Sequence, residues 1–269
     1  DGGIGLAYGT KIMAVKAGQS TGTLASSHIA KAINYARMMG ADVINMSFGG
    51  SQISMAVEEA LQAAYNTCVL VAAAGNDGAC NNLECEKQEC IDKRVCYPGA
   101  LSYVIGVMST NANGQARSSF SNYDHYPYGS IEYEVYAVGE AVKSTWPNNK
   151  YATLNGTSMA APTVAGIAAL VRSYYSDREM YSTKFVQSQI VNTGSVCIDG
   201  AHTVADVYEA LTKLPKPTVN LYDFSIDDST AISEKNNGNG VVDAGETIRL
   251  YFSLHNRGGV ASNVNVSID

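Results

Sequence analysis

The run Cys68-Val69-Leu70-Val71-Ala72-Ala73-Ala74 has no polar side chain on either face of an extended chain. Successive strand residues point to opposite sides, so such a strand is stable only where both faces of its sheet are covered. Two other segments suit the same sheet: Val43–Phe48, closed by Gly49-Gly50, and Tyr103–Val107. Between them the spacing turns helical. Residues 26–39 put Ile29, Ile33 and Ala36 on one face before a stop at Gly40, and residues 54–66 put Val57, Leu61 and Ala64 inward. Lys11–Val15 reads as a further short buried strand. Non-alternating strands that alternate with helices predict an α/β fold, a parallel sheet flanked by helices. Such sheets bind ligands at the carboxyl ends of their strands, where Gly49-Gly50 and Gly75-Asn76 lie.

The character changes after residue 212. Lys213-Leu214-Pro215-Lys216-Pro217 reads as a linker, because prolines cannot continue a helix. Beyond it Val219–Ile226 and Thr247–His255 alternate partially, as strands do. Two or three strands do not make a stable sandwich. We therefore expect a domain over 1–212, a linker over 213–217 and the start of a truncated, all-β, Ig-like sandwich over 218–269. Within that tail Asn237, Asn239, Asp243 and Glu246 approach the spacing of an EF-hand calcium loop, but Lys235 occupies the first ligand position and repels a cation. They are the chain's candidate ligands for a structural calcium ion; the alternative is a Gly/Asn-rich turn.

A net charge of −7 argues against nucleic acid as a partner, which needs clustered Lys and Arg. No apolar run approaches the roughly 18 residues of a membrane span. Four of the six cysteines, Cys80, Cys85, Cys90 and Cys96, crowd one stretch without the C-x-x-C pairs that most zinc sites use. We read them as a disulfide-stapled surface loop of a secreted or cell-surface protein, with three pairings open. Cys68 reads as a buried thiol, and Cys197 as free or paired.

Three segments carry chemistry. In Asn155-Gly156-Thr157-Ser158-Met159-Ala160-Ala161-Pro162 the serine stands at the start of a small, apolar helix. There the backbone N–H groups lack intrahelical partners and the helix dipole favours negative charge, which suits a nucleophile and part of an oxyanion hole. Pro162 fits the first turn of that helix. The stretch is not G-x-S-x-G, which disfavours an α/β-hydrolase elbow. In Ala73-Ala74-Gly75-Asn76 an apolar strand ends in a carboxamide able to donate to an oxyanion. In Ser47-Phe48-Gly49 small residues at a strand end let a peptide add as a neighbouring strand. Alone, each has a plainer reading: a serine N-cap, a turn, and a strand with its turn.

Together and in this order they resemble the subtilisin-like serine peptidases, the subtilases. Gly3-Ile4-Gly5-Leu6-Ala7, Tyr97-Pro98-Gly99 and Ser118-Ser119-Phe120-Ser121-Asn122 extend the resemblance over nearly all of residues 1–212. It implies a serine endopeptidase that acts on proteins or peptides, without a cofactor, through an acyl-enzyme on Ser158. It also implies Asn76 and the Ser158 N–H as oxyanion donors, Ser47, Phe48 and Gly49 as a substrate-pairing strand, Ala73, Ala74 and Gly75 as the pocket lining, and a second pairing strand around Thr21-Gly22-Thr23. Ala74, Gly75 and Gly49 suggest a roomy, uncharged pocket. The family's Asp-[Ser/Thr]-Gly and His-Gly-Thr-His segments are absent, and His28, His125, His202 and His255 all lack that context. The triad Asp and His are expected upstream of Asp1 in the parent chain, and the fragment alone is expected to be inactive, since removing the His of subtilisin costs about 10⁶ in kcat. The rival reading is a non-catalytic surface or binding protein on a dead subtilase scaffold.

Overall fold

Strand β2 (Val69–Ala73) is buried at every residue, as its unbroken apolar run requires. In this computed structural model, which describes residues 5–19, 22–79, 95–124, 132–195, 198–214, 219–227, 229–233 and 247–256, it lies inside a four-stranded parallel sheet. The other strands are β1 (Val43–Met46), β3 (Ile105–Thr110) and β4 (Val135–Val138), in the order β1-β2-β3-β4. The registers run Val43↔Val69 between the first pair and Val71↔Ile105 between the second.

Alternation along β2 divides the core in two. Val69, Val71 and Ala73 pack with α3 (Thr157–Tyr174), α4 (Thr183–Val191) and α5 (Val207–Thr212). Leu70 and Ala72 face the other way, against α1 (Ser26–Met38) and α2 (Met55–Tyr65). Ser54 caps α2 by accepting from the Val57 N–H, and Ser182 and Asp206 cap α4 and α5 in the same way. The small side chains of α3, Ala160, Ala161, Val164 and Ala168, let it lie close against the sheet. This is the expected α/β architecture. A short hairpin, β5 (Val142–Trp146) with β6 (Lys150–Leu154), turns through the left-handed residues Asn148 and Asn149 and leads into α3.

Two expectations fail. Lys11–Val15 forms no strand: Lys11 to Ala14 are exposed, and among the described residues no strand pairs with the outer edge of β1. A strand's backbone groups need a paired neighbour, so the apolar pattern alone does not make one. Pro162 is not in the first turn but is the sixth residue of α3, inside the helix.

The chain divides into two compact units, Asp1–Leu214 and Pro215–Asp269. In the second, β7 (Val219–Asp227) and β8 (Arg249–Asn256) pair antiparallel, with an irregularity between Leu221 and Asp223. Asn237, Asn239, Asp243 and Glu246 lie outside the described residues, as do Cys80, Cys85, Cys90 and Cys197. Cys96, the fourth of the clustered cysteines, is a buried free thiol and takes part in no disulfide, contrary to the crosslink expected for it; Cys68 is also a buried free thiol. Among the described residues no helix is long and apolar enough to cross a membrane.

Candidate active site

The sheet delivers two chain reversals to the N-terminus of α3. β2 runs out through Ala74 to Gly75, whose φ of +100° is open to glycine at low cost. A Cβ there would also stand 2.4 Å from Asn122 Nδ2. The reversal aims Asn76 at the helix. Gly156, the N-cap of α3, has φ +154°, another conformation that side chains resist, and its Cα faces Asn76, with a Cβ position 3.5 Å from Nδ2.

Asn76 is oriented by its oxygen. Oδ1 accepts from the Thr157 N–H at 2.8 Å and from Thr157 Oγ1 at 2.9 Å. Two donors on Oδ1 turn the amide Nδ2 the other way, as a donor with no duty to the helix. The Thr157 hydroxyl, fully buried, also accepts from the Gly75 N–H at 3.2 Å, so one side chain ties the end of β2 to the start of α3. Ser158 is next, its N–H among the first-turn donors that a helix leaves unpaired. Its Oγ donates to the main-chain carbonyl of Ser47 at 3.2 Å, and Ser47 Oγ donates to the Ser158 carbonyl at 3.0 Å.

Phe48, Gly49, Ala73, Gly75, Asn76 and Ser158 all line one cavity of about 470 Å³ at these strand ends. Ala74 does not: it is wholly buried beneath, with Met108 and Tyr133. Ser47 lies under the nucleophile and not in the cavity wall. Of the second pairing strand expected around Thr21-Gly22-Thr23, Thr21 lies outside the described residues, and Gln19 N–H donates to Thr23 O at 3.0 Å.

Among the wall residues that sequence reasoning did not assign to the site are Asp77, Cys96, Asn122 and Thr157. Asp77 overturns the expectation of an uncharged pocket. Cys96 Sγ packs where a Cβ on Gly49 would stand, at 2.4 Å. Burial, with the charge of Asp77 adding to it, pushes the thiol up to about 11, so it stays protonated and acts as an apolar filler. The segment between Ala79 and Val95 is held at both ends. Before it, Asn122 Oδ1 accepts from Asp77 N and Ala79 N, each at 3.0 Å, and Tyr123 N donates to Ala79 O. After it, Cys96 N donates to Tyr133 Oη at 3.0 Å, and Gly50 and Tyr97 exchange two main-chain bonds.

Ser158 Oγ bonds to no histidine among the described residues. His28 is on α1, His125 lies outside the described residues, and the side chain of His255 is not described. His202 is buried between Asp199, 2.8 Å from Nδ1, and Asp124, 3.2 Å from Nε2. Burial alone would lower this imidazole, but bonding to Asp124 and Asp199 and their charges outweigh it and raise it to about 9. Burial would likewise raise Asp199; its bonds to His202 dominate and lower it to about 2. Asp124 is raised by burial against the pull of His202.

A sequence model of the subtilase family (Peptidase_S8) matches residues 1–241. The chain belongs to the subtilase family. Among curated relatives, this subtilase is 40% identical over 175 residues to subtilisin DY of Bacillus licheniformis, covering 65% of this chain and 58% of the relative. It is 36% identical over 193 residues to the major intracellular serine protease of Bacillus subtilis (strain 168), covering 71% and 55%. The chain thus spans a little over half the length of these relatives. Among solved structures it resembles a cold-adapted subtilisin-like serine proteinase, with a TM-score of 0.61 and 28% identity over 77% of this chain and 72% of that one. The family model's match runs past residue 212, the expected end of the domain.

Proposed function

We propose that this subtilase is a serine endopeptidase, with Ser158 as the acyl-accepting nucleophile. The observation that carries the reading is the Asn76 carboxamide, held by Thr157 through its oxygen so that Nδ2 is left as a donor beside Ser158 at a helix N-terminus. A peptide carbonyl attacked by Ser158 Oγ would place its developing oxyanion between Asn76 Nδ2 and the Ser158 N–H. Donors set in advance cost no reorganisation as the charge forms. Collapse expels the amine and leaves an ester on Ser158, which water then hydrolyses. No cofactor enters this chemistry. In the resting site the Ser158 proton rests on the Ser47 carbonyl, an oxygen too weakly basic to remove it. The reaction therefore needs an imidazole and its carboxylate partner from outside the described residues.

The substrate would lie extended along Ser47-Phe48-Gly49 and Ala73-Gly75, with one side chain in the cavity. Asp77 at that cavity favours neutral or cationic side chains over acidic ones. The reading includes a secreted or cell-surface location, motivated by the cysteine-rich segment; the Bacillus subtilis relative is intracellular by name, so fractionation decides this point. The catalytic reading is tested with a fluorophosphonate on the protein at its full natural length. Mass spectrometry should find the phosphonyl group on Ser158, and Ser158→Ala should abolish both labelling and casein hydrolysis. A folded protein that stays unlabelled would refute the enzyme and favour the non-catalytic scaffold.

A further inference from the structure

Pro162 creates a specific vacancy in α3. In an unbroken helix its N–H would bond the carbonyl four residues earlier, which belongs to Ser158. Proline has no N–H, and its ring crowds that oxygen. The carbonyl freed in this way is the one Ser47 Oγ reaches, at 3.0 Å. A serine hydroxyl has a single proton to give. Here it is directed at Ser158, because Asn45 Nδ2 donates to Ser47 Oγ at 3.0 Å and occupies an acceptor position on it. The return bond, Ser158 Oγ to the Ser47 carbonyl, joins the same two residues in the opposite sense.

We propose that Ser47 is a positioning residue for the nucleophile: its hydroxyl replaces the N–H that Pro162 withholds, so that the end of β1, and not helix α3, holds the carbonyl of Ser158. The proposal rests on the reading of Ser158 as nucleophile. It assigns the Ser47 side chain a task separate from the substrate-pairing role of its main chain. It also ties two features 111 and 4 residues from Ser158 to a single oxygen. The arrangement has a directional consequence. A helix that satisfied its own carbonyl would carry Ser158 with it wherever α3 moved. Here the nucleophile keeps register with the strand end along which the substrate would lie, and its main chain is held by two elements.

The test is a double-mutant cycle with Ser47→Ala and Pro162→Ala, with Ser47→Thr as the conservative variant, in the full natural protein. Two quantities are read: the urea unfolding midpoint and the second-order rate of Ser158 labelling by a fluorophosphonate. Ser47→Ala should slow labelling about tenfold, the effect of one lost hydrogen bond of ordinary strength. Ser47→Thr, which keeps the hydroxyl, should recover most of that loss. In the Pro162→Ala background the new N–H at 162 can take the Ser158 carbonyl, so Ser47→Ala should cost less than half as much in both quantities. Equal effects of Ser47→Ala in the two backgrounds, or unchanged labelling with Ser47→Ala alone, overturn the proposal and leave the enzyme reading standing. A wild-type protein that is not labelled at all overturns both, whatever coupling the unfolding data show.

Discussion

Thr157→Val exchanges a hydroxyl for a methyl of similar size at a fully buried position, so packing is nearly conserved and the hydrogen bonds are the variable. Two bonds are lost. The Gly75 N–H loses its 3.2 Å acceptor, and an amide donor left unsatisfied out of water costs about 1–3 kcal/mol. The Asn76 carboxamide loses its 2.9 Å donor but keeps the Thr157 N–H at 2.8 Å, a net loss of about 1 kcal/mol. The added methyl returns about 0.8 kcal/mol. The balance is a destabilisation of about 2 kcal/mol, read from urea unfolding. Labelling of Ser158 should slow as well, because Nδ2 is then aimed by one bond. Full loss of an oxyanion donor costs about 10²–10³ in rate, with subtilisin itself the measured example, and that is the expectation for Asn76→Ala. Thr157→Val should fall between, at about tenfold. Thr157→Ser keeps the hydroxyl and should behave as the wild type. Should Thr157→Val and Thr157→Ser unfold and label alike, the hydroxyl does not aim Asn76, and the account of the oxyanion site built on it is wrong.

The His202 cluster predicts a pH dependence of stability. Its imidazole is raised to about 9 in the folded protein from an ordinary 6.5, so its stabilising contribution is complete below 6.5 and is lost as pH rises through 9. The loss is on the order of 3 kcal/mol, visible as a fall in Tm from pH 7 to 10 that His202→Gln should flatten. At the acid end Asp199, lowered to about 2 from 3.8, contributes fully above 3.8 and loses its contribution as pH falls through 2. Gly49→Ala should destabilise by about 1–3 kcal/mol through overpacking, since its Cβ would meet Cys96 Sγ at 2.4 Å and the Tyr97 carbonyl at 2.9 Å. It should also narrow the cavity, so that bulky peptide substrates are lost before small ones; unchanged unfolding would remove Cys96 from the wall.

Legibility of the sequence followed the range of the interactions. β2 and α2 were readable because an unbroken apolar run and a 3.6-residue stripe are local patterns, and the Ser54 cap adjoins its helix. Lys11–Val15 carried a strand's pattern, but a strand also needs a neighbour, which no local pattern reports. Ser158 and Asn76 were found because each stands at an element's end with its chemistry in adjacent residues. The aim of Asn76 was not legible, because it depends on Thr157 across 81 positions, and neither was the use of the Ser47 side chain, across 111. Sequence proximity groups Cys96 with its neighbours as a crosslink. Its place against Gly49 follows from where β1 and the Cys96–Gly99 turn meet in space.

The anchors that bracket residues 80–94 make that segment exchangeable. Asn122 secures the chain just before it, and Tyr133 with the Gly50–Tyr97 pair secures the chain just after it, all through main-chain atoms of the secured residues and so indifferent to what lies between. Doubling the length of a loop between fixed ends costs only about 0.6 kcal/mol in closure entropy. Segments of other lengths and compositions can therefore be grafted between Ala79 and Val95 while Asn76 and Ser158 keep their geometry. Asp77 and Val95, described on either side of that segment, both line the cavity, so the wall there can be altered from those positions without touching the bonds that aim Asn76 and Ser158.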